Sequence, residues 1–193
     1  MKTLEQIGAE LQGYDPQALR ASDVNAFLAK LVEPVTQTET VSIFAALDRV
    51  LAQDVVSPIS VPPHDNSAMD GFAFDGGQLR TDAPLALKVI GTAFAGKAWQ
   101  GTVGPGECVK IMTGAIMPTG LDTVVPQEFT TVAGDSVTIP AKLLQRGDNR
   151  RTLGEDLMAG RAALSQGTRL SPAACGLLAS LGIATVPVFR RLK

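Results

Sequence analysis

Val61-Pro62-Pro63-His64-Asp65-Asn66-Ser67-Ala68-Met69-Asp70-Gly71-Phe72-Ala73-Phe74 is the stretch from which the fold is read. Two consecutive prolines fix φ and withhold two backbone donors, so the chain enters as an extended, non-helical arm. Asp65, Asn66 and Ser67 bond their own backbone and build tight loops. Asp70-Gly71 is a turn signal, and Phe72-Ala73-Phe74 then alternates as a strand. The dipeptide alone indicates an ordinary turn between strands. The length of the loop and its density of polar groups add a second reading, a carboxylate held at a surface.

Working outward, Asp54-Val55-Val56-Ser57 reads as a short strand that feeds the proline arm. Before it, Thr40 to Ala52 carries Val41, Phe44, Ala45, Leu47 and Leu51, which predicts a short helix with Arg49 near its C-terminal end. Ser22 caps an earlier helix, with Val24, Phe27, Leu28 and Leu31 on one apolar face and Pro34 ending it. Residues 1–21 are weakly patterned and read as a loose leader. After the arm come strands at 85–90, 107–112, 122–128 and 136–139, separated by glycine and proline turns. That spacing predicts a small antiparallel β domain over 61–145. Residues 146–160 are polar and charge-mixed. Ser171-Pro172 then starts a helix over 173–181, Gly182 ends it, and 184–189 is a strand whose Pro187 suits a sheet edge.

The bulk numbers narrow the function classes. In 193 residues, 45% are hydrophobic, which supports a sizeable core, and 19% are charged with a net charge of −2. No global field draws the chain to nucleic acid or an acidic membrane. Gly 19 and Pro 12 fit many turns between short strands. Cys108 and Cys175 stand apart in apolar runs and read as buried free thiols of a reducing compartment. The N-terminus has no apolar signal core, and no window approaches ~18 uninterrupted apolar residues. These features predict a cytoplasmic protein.

Few residues are left to carry chemistry. There is no Gly-x-Gly-x-x-Gly opening a helix, no Walker loop and no Cys-x-x-Cys. A single histidine, His64, excludes a two-histidine metal site. A Ser-His-Asp triad built on His64 would rest on neighbours held by local loop geometry, whereas triad partners meet through tertiary folding. Three clusters remain: Asp65 to Asp70; Thr113-Gly114-Ala115, where a glycine lets the backbone approach a ligand; and Arg150-Arg151 with Glu155-Asp156. Arginines fork onto phosphate and carboxylates hold hard cations; the bland alternative for the third cluster is a solvated face. Together they point to a carboxylate site for a phosphate-bearing or oxyanion ligand.

Pro62-Pro63-His64-Asp65-Asn66-Ser67-Ala68-Met69-Asp70-Gly71-Phe72-Ala73 resembles the signature of the MoeA/gephyrin family, the molybdopterin molybdenumtransferases. The resemblance continues through Val109-Lys110-Ile111-Met112-Thr113-Gly114-Ala115 with Asp122-Thr123-Val124-Val125-Pro126-Gln127-Glu128. It extends to Gly147-Asp148-Asn149-Arg150-Arg151 with Gly154-Glu155-Asp156, and then to Gly167-Thr168-Arg169-Leu170 and Leu178 to Ile183. It spans about residues 24–190 in register.

The resemblance implies a mainly β fold with a few short helices, in two modules. An elongated discontinuous domain would comprise 22–60 plus 146–193, and a compact β domain, 61–145, would be inserted in it. It implies molybdenum cofactor biosynthesis: adenylylated molybdopterin and molybdate as substrates, AMP as leaving product, and a divalent cation, Mg2+, assisting. Asp70 matches the family's catalytic aspartate, Thr113 a substrate-binding threonine and Asp156 a further carboxylate, with Asp70 and Asp156 the candidate metal ligands. The expected partners are a second copy, through the elongated domain, and a molybdopterin adenylyltransferase upstream. Family chains continue into a pterin-binding domain and a C-terminal β domain, so the residues here are expected to be an incomplete, inactive part of the enzyme. A non-catalytic dimerisation or scaffold module of a gephyrin-like protein is the alternative. His64 stands where an apolar or aromatic residue is expected, and no role follows for it.

Overall fold

The structure is a computed structural model that describes residues 6, 24, 25, 28, 29 and 32–192. Of the first expected helix, Val24, Asn25, Leu28 and Ala29 are helical, and Val32 N–H donates to Leu28 O at 3.1 Å. The Ser22 cap, Phe27, Leu31 and, save Gln6, the leader lie outside the described residues.

Two compact units are present. One contains the described residues up to Asp54 together with those from Ser165; the other is Val55–Leu164. In the first unit, β1 (Thr38–Ser42) pairs antiparallel with a late strand, Thr185–Phe189, so that Val41 faces Val186. The helix expected over 40–52 does not form. Thr38, Thr40 and Val41 are β-branched and favour an extended chain once a partner strand is available. Ser42 Oγ caps only a 3-10 turn at Ile43–Ala45, and Asp48 at φ 62° stops any helical continuation. Ala46 and Leu51 are buried while Phe44 is 95% exposed, so the apolar spacing serves a strand and turn. Arg49 is buried and donates to Glu39 Oε1 at 2.5 Å and Phe189 O at 2.8 Å, which ties the two strands.

The second unit begins at β2 (Val55–Val56), followed by β3 (Asn66–Ser67), β4 (Gly71–Phe74), β5 (Leu85–Ala93), β6 (Glu107–Ile111) and β7 (Thr123–Pro126). Then come β8 (Thr131–Ala133), β9 (Ser136–Ile139), β10 (Arg150–Arg151) and β11 (Ala162–Leu164). The late strand of the first unit is β12, and its helix α1 is Pro172–Ser180, with Ser171 Oγ accepting from Ala174 N–H as expected from Ser-Pro. A six-stranded sheet runs β7-β4-β6-β5-β9-β8. It is not wholly antiparallel: β5 and β6 run parallel. The glycine-punctuated connection between them is about a dozen residues long, enough for the crossover that parallel strands need.

Period-two alternation sorts the core onto both faces of this sheet. Phe72 and Phe74 pack with Cys108, Val125 and Val137, while Ala73 packs with Val109, Ile111 and Val124. Burial on both faces explains the apolar runs at 107–111, in the central β6, and at 123–126, in the edge strand β7. Cys108 is fully buried, and burial pushes its thiol up to about 12. Cys175 is only half-buried; both are free.

The proline arm moves the unit boundaries away from 60/61 and 145/146. β2 pairs with β11, Ser57 N–H donates to Arg161 O, and Val61 N–H donates to Leu157 O at 2.7 Å. Residues 55–60 and 146–164 therefore stay with the larger unit, and the boundaries lie at 54/55 and 164/165. β3 pairs with β10 in the same way, Arg150 facing Ser67.

Candidate functional site

The register of the large sheet builds the site. Gly71 faces Ile111 across the β4–β6 pair, which sets Asp70 beside the residues that follow β6. Asp70 Oδ1 accepts two hydrogen bonds from one residue, from Thr113 N–H and Thr113 Oγ1–H, each at 2.7 Å. Asp70 Oδ2 carries no hydrogen bond among the described residues. The Thr113 backbone donor, then its hydroxyl, hold the Asp70 carboxyl below its ordinary range, and the charge of Lys110 adds to this against a small desolvation. Asp70 is thus ionised at neutral pH and presents one free oxygen.

Gly71 is required by close approach rather than by a turn. A Cβ there would lie 1.9 Å from Val125 O and 2.8 Å from Val125 C. The expected turn at Asp70-Gly71 is therefore the first position of β4, squeezed between β6 and β7. Gly114, by contrast, sits at φ +79°, where glycine is favoured. Its N–H donates to Ser67 O and Ser67 N–H donates to Ala115 O, so the 61–70 loop and the 113–115 loop are laced together.

The rest of the loop is braced. Asp65 pairs with Arg150 at 3.3 Å and accepts from Leu153 N–H at 2.7 Å. Ser67 is buried; its Oγ donates to Met69 O at 2.6 Å and accepts from Met69 N–H. Asn149, at φ 60°, donates from Nδ2 to Val124 O, and its carbonyl accepts from Ala68 N–H.

The structure brings together Asp70 and Thr113 of the three expected residues. Asp156 joins neither by a hydrogen bond or ion pair; its exposed carboxylate accepts from Arg151 Nη2, while Glu155 faces Arg151 Nε at 3.4 Å. The Thr113 hydroxyl hydrogen goes to Asp70, so donating it to an oxyanion requires that bond to exchange. Two residues gain a place that the sequence reading did not assign. Lys110, opposite Phe72, contributes its charge to Asp70, and no spacing in the sequence signalled it. Asn66 carries a buried Oδ1 without a partner, and its loop position alone held no such signal. Among the described residues, no three His, Cys, Asp or Glu side chains converge as a metal cage, and no helix is long and apolar enough to cross a membrane.

Comparison with known proteins covers most of the chain. A family model described as the MoeA N-terminal region, domain I and II, matches residues 19–182. A molybdopterin molybdenumtransferase of Haemophilus influenzae is 43% identical over 158 residues, which is 82% of this chain and 39% of that protein. The Bacillus subtilis protein of the same name is 38% identical, over 80% of this chain and 37% of its own length. The crystal structure of a molybdopterin biosynthesis moeA protein from Pyrococcus horikoshii superposes with a TM-score of 0.74 at 34% identity, covering 81% of this chain and 42% of that one. The chain thus spans about two fifths of the length of the relatives it matches.

Proposed function

The chain belongs to the MoeA N-terminal region family, and from that premise we propose that it supplies the Asp70 half-site of an enzyme that moves molybdenum from molybdate into adenylylated molybdopterin, with release of AMP. The carrying observation is the double hydrogen bond from Thr113 that pins one oxygen of Asp70 and leaves the other open. A pinned, ionised carboxylate with a free oxygen is suited to two tasks at a phosphoanhydride. It orients an attacking water, or it contributes a ligand to a hard cation.

The donor set fits Mg2+ in a limited way. Mg2+ binds through one or two carboxylates, with substrate phosphate oxygens and water making up the rest. Asp70 offers such a carboxylate, whereas Asp156 carries the positive charge of Arg151 on its Oδ2, which opposes a cation there. When bound, Mg2+ supplies charge neutralisation at the phosphate oxygens. Thr113 is a positioning residue in this reading, since it touches Asp70, and its two donors keep that carboxylate ionised, with the charge of Lys110 adding to them. The same reading carries a cytoplasmic homodimer, formed through the first unit and supplied with substrate by a molybdopterin adenylyltransferase; the family membership supports it.

The test pairs Asp70→Asn with Asp65→Asn in a full-length enzyme containing this chain. Asn at 70 keeps an acceptor for Thr113 but loses the charge and the basic oxygen. Molybdenum transfer should fall by roughly 10²- to 10⁴-fold, with the melting midpoint nearly unchanged. Asp65→Asn keeps the acceptor for Leu153 and should lose far less transfer. Near-normal transfer by Asp70→Asn, or a loss that only tracks its melting midpoint, overturns the reading.

A further inference from the structure

The ladder that sets Asp70 beside Thr113 stops short of both. Gly71 and Ile111 are its last pair, so the 2.7 Å bonds between Asp70 and Thr113 depend on what fixes the two overhanging loops. The Thr113 loop is a turn. Ala115 N–H donates to Met112 O across it at 2.9 Å, and Gly114 lies at φ +79°. The Thr113 N–H stays outside that bond and goes to Asp70.

Ser67 is bonded to both loops. Its N–H donates to Ala115 O at 3.0 Å and its carbonyl accepts from Gly114 N–H at 2.9 Å, directly after Thr113. Its Oγ donates to Met69 O at 2.6 Å and accepts from Met69 N–H at 3.2 Å, directly before Asp70. Ser67 is 1% exposed, so it has no surface to offer a ligand.

The same unit holds a twin of this serine. Ser57 is also 1% exposed, and its Oγ donates to the carbonyl two residues on, Ile59 O, at 2.7 Å. Its N–H donates to Arg161 O and its carbonyl accepts from Gly160 N–H, both at 2.9 Å, with Gly160 at φ +81°. Both serines thus make the same local bond and the same backbone clamp on a glycine turn. They differ in what the clamp holds. Ser57 fastens the 160–161 turn, and Ser67 fastens the turn that presents Thr113.

We propose that Ser67 is a positioning residue for the reaction, holding the Asp70 carboxylate within reach of both Thr113 donors without touching substrate. The proposal rests on the reading of Asp70 given above. Losing the hydroxyl releases both backbone groups of Met69 from it and lets Asp70 drift from Thr113. The carboxyl that those donors hold down should then return toward its ordinary range.

Ser67→Ala and Ser57→Ala are compared, each in the 193-residue chain and in a full-length enzyme containing it. The Asp70 titration midpoint, followed by NMR, should rise in Ser67→Ala and stay at the wild-type value in Ser57→Ala. Molybdenum transfer by Ser67→Ala should fall roughly 10- to 100-fold. The loss should lie in kcat with KM nearly unchanged, because a hydroxyl sealed from substrate adds nothing to its binding. Ser57→Ala should lower the melting midpoint by a similar amount and leave transfer near normal. Where Ser67→Ala does not fold, Ser67→Cys, which keeps the size but is a weak donor and acceptor, is read in its place. An Asp70 midpoint unmoved in the folded variant, or the same loss of transfer in Ser57→Ala, overturns the proposal. Asp70→Asn is read independently. Near-normal transfer by that variant removes the catalytic reading, whereas an unmoved midpoint in Ser67→Ala removes only the role of Ser67.

Discussion

Two corners of the Val55–Leu164 unit carry carboxylates, and they dispose of them differently. In the segment after β10, Arg151 faces both Glu155 and Asp156, and Glu155 also accepts from Thr152 N–H at 2.9 Å. Asp65, next to it, is held by Arg150 and Leu153 N–H. At the end of the proline-arm loop, Asp70 is gripped by a neutral threonine through one oxygen only. In the charge-rich segment each of these carboxylates faces an arginine. The Asp70 corner keeps a whole negative charge and a free oxygen. Charge density alone therefore misleads about where chemistry sits; what matters is the binding capacity left after the fold has taken its share.

The largest way to break this contrast is to remove the register that creates the Asp70 corner. Gly71→Ala drives a Cβ into the backbone of Val125. It should destabilise the unit by ~3 kcal/mol or more, read as a shift in the denaturant midpoint, while Gly120→Ala, whose Cβ would meet nothing within 4 Å but whose φ is +85°, should cost only the ~1 kcal/mol or so of its left-handed backbone. Equal losses would show that close approach at β4 is not the constraint.

Thr113→Val comes next, because it deletes the hydroxyl donor and keeps the backbone one. Transfer in the full-length enzyme should fall roughly 10- to 100-fold, as for other partners that orient a working ligand. The Asp70 titration midpoint, followed by NMR, should rise part of the way to the ordinary carboxylate value, since the stronger backbone donor remains. Thr113→Ser should restore both. A midpoint that does not move would mean the hydroxyl bond is not formed in solution.

The pH dependence follows with a definite sign. Asp70 has a lower pKa folded than unfolded, so its contribution to stability is present above the unfolded value of about 4. It is lost as pH falls through the folded value. Asp70→Asn should flatten the acid limb of stability below about pH 4. An acid limb identical in wild type and Asp70→Asn would contradict the two-donor geometry.

The smallest effect belongs to the other corner. Arg151→Gln breaks ion pairs between side chains that are more than a third exposed, and exposed pairs contribute little. The melting midpoint should move by no more than about 2 °C. A larger drop would show that the segment braces the unit and would narrow the contrast between the two corners.

Local chemistry made part of this molecule legible. Ser171-Pro172 and Gly182 bound α1 because a cap, a fixed φ and a left-handed stop act over one turn. β4, β6, β7 and β9 follow from alternation between turn signals. The helix expected over 40–52 failed because its apolar spacing ignored the partner that β12 offers to β1. The ladders β3–β10 and β2–β11 are two or three residues long, too short for any period to show.

The site divides along the same line. The run from Pro62 to Ala73, by resemblance, indicated Asp70, and the sequence by itself determined that a polar loop ends at a carboxylate followed by glycine. Only the tertiary structure decided that Gly71 is needed for close approach, that Thr113 spends both its donors on one Asp70 oxygen, and that Arg151 faces Asp156. It alone showed that Ser67 joins the two loops of the site. The reason is physical: turn habits and strand alternation act between near neighbours in the chain, whereas those contacts join residues brought together by the register of the sheet.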